Sequence, residues 1–165
     1  MKNILYSLIC IFSLNSIVFA DITSNLVAHY EFEDNINDRT NTYNLNLVAG
    51  GTESYSDSGK YGKSYIFNGS DNYLKTLDNA ISESSTGTIS FWVKDTVDSG
   101  QAYVSMQNNS GATTYNPVIY TDGEQNLAAY GNIHEYPADQ ASIGTVMFDG
   151  SWHHVVLTFS GTGTA

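Results

Sequence analysis

Cysteine, proline and positive charge are all scarce in this chain: one cysteine at Cys10, two prolines, and six lysines and arginines among 165 residues. A single thiol excludes an intramolecular disulfide framework, so stability must come from packing or from a bound ion. Set against 17 acidic residues, the few basic ones leave a formal charge of −11. Such a surface repels phosphate backbones and anionic lipid, which argues against nucleic-acid and membrane-surface partners. No stretch of the chain sustains a 3.6-residue apolar period, and this argues against amphipathic helices. Gly-x-Ser-x-Gly elbows and glycine-rich phosphate loops are likewise missing, which removes two common catalytic frameworks.

The N-terminus carries the one long apolar run. Lys2 precedes the run at residues 4–18, and Val18, Phe19 and Ala20 close it. This anatomy predicts a cleavable signal peptide over 1–20 with Asp21 as the first mature residue. Ser7, Ser13, Asn15 and Ser16 interrupt the run, which also falls short of the roughly 20 residues a spanning helix needs. Cleavage removes Cys10 and Lys2, so the mature protein is thiol-free and its formal charge passes from −11 to −12. The expected location is secreted, extracellular or at the cell surface, with the periplasm as an alternative and no membrane insertion after cleavage. Residues 21–165 suffice for one domain and not for two.

Within that domain, short alternating runs separated by turn residues predict strands. Residues 26–32 place Leu26, Ala28, Tyr30 and Phe32 on one face and His29, Glu31 and Glu33 on the other. A loop rich in Asp and Asn follows to residue 46. Runs at 64–68 and 73–77 flank the turn Asn68-Gly69-Ser70-Asp71-Asn72 and read as a hairpin. Residues 88–94 alternate with Ile89, Phe91 and Val93 against Ser90, Trp92 and Lys94. Further strands are expected at 102–106, 117–121, 127–130, 145–148 and Trp152–Phe159, the last with Val155, Leu157 and Phe159 on one face. Many short strands joined by turns imply an all-β chain, an antiparallel β-sandwich or barrel.

The order of these segments resembles a known family. Leu26-Val27-Ala28-His29-Tyr30-Glu31-Phe32, the stretch Gly59-Lys60-Tyr61-Gly62-Lys63 running on to Asn68-Gly69, Thr88-Ile89-Ser90-Phe91-Trp92-Val93-Lys94, and Trp152-His153-His154-Val155 are similar to segments of laminin-G-like, concanavalin A-like lectin and glucanase domains. The resemblance covers nearly all of residues 21–161 and implies a jelly-roll sandwich. It also implies that the domain lacks its last strands, since similar domains continue beyond the Trp-His-His-Val strand.

Candidate sites follow from residue chemistry. Asp34, Asn37, Asp38, Asn68 and Asp71 offer hard oxygens suited to Ca²⁺, and the resemblance adds that similar domains often carry a structural calcium ion. The same residues also fill turns by bonding local backbone, and both readings fit their positions. Tyr115, Tyr120, Tyr130 and Tyr136, set among polar residues, are candidates for stacking against a sugar ring, with core packing as their other role. Glu31 and Glu33 share a face at a spacing suggestive of glycosidase carboxylates, but solvated outer-face charges explain them better. His153 and His154, adjacent on a strand, project to opposite faces and cannot share a metal. Trp92 and Trp152 read as structural.

The resulting expectation is a secreted, non-catalytic recognition module that binds glycans or glycoconjugates and is stabilised by calcium. A surface adhesin or protein-interaction module is the first alternative, and part of a polysaccharide-degrading enzyme the second.

Overall fold

In the computed structural model, residues 25–48, 50–78, 80, 86–97, 100–107, 115–124, 126–130, 140–144 and 147–159 are described, at 106–107, 115–118, 130 and 140–144 by their backbone alone. The signal segment 1–20 and Tyr136 lie outside them. The described residues form ten strands and no helix: β1 (Leu45–Val48), β2 (Tyr55–Ser56), β3 (Ser64–Tyr65), β4 (Tyr73–Thr76), β5 (Gly87–Lys94), β6 (Ala102–Gln107), β7 (Tyr115–Thr121), β8 (Asn126–Tyr130), β9 (Gln140–Gly144) and β10 (Trp152–Phe159). All pairing is antiparallel. Accordingly, none of the described segments is a helix long and apolar enough to cross a membrane.

The longest strands, β5 and β10, pair over their whole length with Phe91 opposite Val155 and Ile89 opposite Leu157. Every second side chain of a strand points the same way, so this register gathers the β-branched and aromatic residues of both strands on one face. That face meets the meander β6-β7-β8-β9. Ile119, Leu127, Met147 and Val155 are buried between the layers, packed by Ile89, Phe91, Val93, Tyr103, Val104, Ala129, Phe148 and Leu157. The result is an antiparallel β-sandwich, as expected from the sequence. Pro117 lies in β7 opposite Ser105, and among the described residues it stands outside the stretch Ile119–Thr121 that pairs with β8.

Three local expectations are corrected. Residues 26–32 form no strand, and Tyr30 makes only an isolated bridge to Asp38. Phe32 and Asp34 adopt φ of 57° and 55°, in the left-handed region that ends an extended run. Second, 64–68 and 73–77 do not make a hairpin: β3 pairs with β2 and β4 with β1. The turn between them is nevertheless built as its residues suggest. Asn68 Oδ1 accepts the amides of Ser70, Asp71 and Asn72, while its Nδ2 donates to Gly50 O at 3.3 Å and to Asp71 Oδ1 at 2.7 Å. That bond to Gly50 turns the segment toward the end of β1 rather than back along β3. Third, the strand placed at 145–148 is found instead at β9. Met147 and Phe148 join the core without strand pairing, and 145–146 lie outside the described residues.

Candidate functional site

The outer face of the β5/β10 pair is unusual in its chemistry. Thr88, Ser90, Trp92 and Lys94 of β5 are exposed and stand opposite Thr158, Val156, His154 and Trp152 of β10. The Trp92 ring stacks on His154 with centroids 4.8 Å apart and planes at 22°. Ser90 Oγ lies 2.8 Å from His154 Nε2. Among the described residues no carboxylate bonds the other imidazole nitrogen, so the pair lacks the acid that orients a nucleophile's base.

Loop 57–63 lies over this face. Trp152 Nε1 donates to Ser58 O at 3.3 Å. Lys60 Nζ sits 4.7 Å from the Trp92 ring centroid, a cation–π contact. Tyr61 meets Trp92 edge-on with centroids 5.9 Å apart and planes at 77°, and it keeps 74% of its surface open to solvent. On its far side the loop is tied to the N-terminal segment. Lys63 N donates to Glu33 Oε1 at 2.8 Å, and Lys63 Nζ donates to both Asp34 oxygens at 2.8 and 2.7 Å and pairs with Asp57 at 3.1 Å. These bonds hold the ammonium of Lys63 above the usual lysine range. An exposed aromatic ring is thus fixed in place by contacts on both flanks of its loop.

Both tryptophans therefore anchor a loop on the outside of the sheet, away from the core cluster. Sequence reading placed Trp92 and Lys94 on the face opposite Ile89 and Phe91, but it missed Lys60 and Tyr61. The available signal was an adjacent cation and aromatic between Gly59 and Gly62, a turn composition that exposes whatever it carries.

The remaining sequence candidates fall elsewhere. Tyr115 and Tyr120 lie on β7 and Tyr130 on β8, opposite Gln107, Ala128 and Gln140. Tyr120 is half-buried beside the fully buried Ile119 and Thr121. Glu31 pairs with Arg39 at 2.6 Å and Glu33 with the Lys63 amide, so the two carboxylates have separate partners. His153 bonds Asp149 Oδ1 at 2.9 Å, which holds that carboxyl below its ordinary range.

Four of the five oxygen-bearing residues proposed for calcium are engaged by protein donors, Asn37 being the exception. Asp38, only 1% exposed, accepts His29 N and Thr40 N on Oδ1, and Thr40 Oγ1, Thr42 N and Tyr43 N on Oδ2. A carboxylate has about four lone-pair sites, so a cation there would compete with five donors already in place. Asp34 is bound by Lys63, Asn68 and Asp71 are bound to each other, and Asn37 is exposed, its amide donating to Asn35 Oδ1. Among the described residues no three His, Cys, Asp or Glu side chains gather as a metal site requires.

Compared with known proteins, residues 68–165 match the family described as the Concanavalin A-like lectin/glucanases superfamily. No curated protein and no solved structure matches the chain.

Proposed function

Because the chain belongs to the Concanavalin A-like lectin/glucanases superfamily, whose domains of this type serve as carbohydrate- or protein-binding modules, we propose that it is an exported recognition module for glycans or glycoconjugates. The observation that carries this reading is Tyr61, an aromatic ring 74% exposed and braced edge-on against Trp92. Pyranose rings present an apolar face that stacks on such a side chain, while neighbouring polar groups bond the hydroxyls. Ser90, His154 and Lys60 supply donors beside it. Recognition of this kind needs a rigid scaffold and preorganised loops, with no covalent chemistry.

A glycan array probed with the full chain and with Tyr61→Ala, each with and without added Ca²⁺, tests the proposal. Binding by the wild type to at least one glycan class, weakened about tenfold or more in the variant, is the expected outcome. Silence across the array, together with capture of a defined extracellular protein, would favour the adhesin reading. That alternative has its own support in the exposed Ile66, Phe67, Tyr73 and Leu77, apolar surface of the sort protein partners cover. Tyr115, Tyr120, Tyr130 and Tyr136 belong to the same glycan proposal as secondary positions, to be probed by single Tyr→Ala changes on the same array. Export itself is tested by sequencing the N-terminus of the secreted product, which should begin at Asp21.

A further inference from the structure

Charge on the β5/β10 outer face runs against that of the molecule. The whole chain carries −11, yet Lys60 sits over the Trp92 ring and Lys94 is exposed two residues further along the same strand face, where Trp92 also meets Tyr61 and His154. Among the other described cations, Arg39 is matched with Glu31 and Lys63 with Asp34 and Asp57, while Lys75 stands exposed on β4 with no aromatic contact. Among the described residues neither Lys60 nor Lys94 has a carboxylate partner. The acids bordering the face are committed to other groups. Asp57 binds Lys63, Asp149 binds His153, and Asp95 accepts Thr96 N, Val97 N, Gln101 Nε2 and Tyr103 Oη.

Lys94 and Trp92 are two residues apart on one strand, so their stems rise about 7 Å from each other on the same face. Lys60 reaches the same indole from above. An aromatic platform flanked by two uncompensated ammonium groups suits a ligand that offers an apolar ring face and a negative substituent together.

We infer that the glycan recognised at Tyr61 and Trp92 is anionic, a sugar bearing carboxylate or sulfate groups that Lys60 and Lys94 bind. This rests on the glycan reading of the same face and sharpens it to a substrate class. The negative charge of the rest of the molecule then acts as a filter, repelling polyanions that approach any other surface.

The test compares polymers that share a backbone and differ in charge: polygalacturonate with its methyl ester, and dextran sulfate with dextran, the two pairs separating carboxylate from sulfate. Poly-L-glutamate supplies negative charge without a pyranose. Binding of the full chain is measured by calorimetry at low and high salt, for the wild type and for Lys60→Gln, Lys94→Gln and Lys75→Gln, with a thermal melt confirming that each variant is folded. Expected is binding to at least one charged sugar polymer and to neither neutral counterpart. Affinity should fall about tenfold in Lys60→Gln and in Lys94→Gln and stay unchanged in Lys75→Gln, whose cation lies on β4. Equal binding to charged and neutral members of a pair overturns the inference while leaving glycan recognition standing. Poly-L-glutamate binding as tightly as the sugars overturns it in favour of an acidic protein partner. Failure to bind either charged sugar polymer also overturns it, and the array with neutral glycans then decides the broader reading separately.

Discussion

Asp38 shows how much one residue organises. Its side chain is buried, and its five bonds fix the chain from His29 to Tyr43, a segment without regular pairing of its own. Burial alone would push its carboxyl up, but the bonds from Thr40 Oγ1 and from the His29, Tyr43 and Thr40 amides outweigh it and hold the group well below the usual carboxylate range. A depressed folded value means that the stabilisation is complete above the unfolded value, about 4, and is lost as the pH falls below it. Asp38→Asn puts an amide NH₂ against backbone N–H groups on whichever side it turns, leaving buried donors facing one another. Chemical denaturation at pH 7 should show a loss of about 3 kcal/mol, and the variant's stability should fall less steeply between pH 5 and pH 3 than the wild type's. The loss should be the same in EDTA as in millimolar Ca²⁺. A wild type that melts lower in EDTA, with Asp38→Asn insensitive to chelation, would instead make this carboxylate a calcium ligand. At the alkaline end Tyr30, pushed up to about 12 by burial and by Asp38, adds stability that is complete below about pH 10 and is lost as the pH rises toward 12.

Elements with a strong two-residue period were legible, and those set by side-chain bonding were not. Strand β10 was placed at Trp152–Phe159 and β5 within one residue of its start, because alternation of large apolar and polar residues leaves a single face to bury. The short strands β1 and β2 passed unnoticed: four and two residues carry too little pattern. The segment 26–32 misled for the opposite reason. It alternates well, yet the Asp38 hub and the left-handed φ of Phe32 and Asp34 override that preference. The candidate face was half visible, since alternation put Trp92 and Lys94 outside, whereas its cover by loop 57–63 depends on contacts distant in sequence, such as Trp152 with Ser58. Gly62 is the local key to that loop. Its φ is +63°, and a Cβ there would run into the Glu33 carboxylate that accepts the Lys63 amide. Gly62→Ala should therefore cost about 1 to 2 kcal/mol and free the loop from its N-terminal anchor. The measurable sign is faster hydrogen exchange at the Lys63 amide, with β5 and β10 protected as before.

At the scale of the whole molecule, stability rests on the contact between two layers, since no disulfide is available to replace it. Ile119 of β7 and Val155 of β10 come from opposite layers, are 1% and 7% exposed and share one buried cluster, so each depends on the contact between the layers for its burial. The N-terminal aromatics form a separate, shallower group, in which Phe67 leans on Tyr65 at 4.8 Å yet stays 53% exposed. Truncation should distinguish the two. Ile119→Ala removes three carbons from a site walled by Leu127, Met147 and Val155, which cannot close over the gap without moving a strand, and the expected loss is about 3 kcal/mol. Phe67→Ala leaves a space that water already reaches, and its loss should stay under about 1.5 kcal/mol. Urea denaturation of both variants checks the ranking. If Phe67→Ala proved the more damaging, the N-terminal aromatics and not the inter-layer contact would be the cooperative core. The β5/β10 outer face would then be carried by the weaker half of the molecule, and ligand binding there would raise the melting temperature far less than its affinity implies.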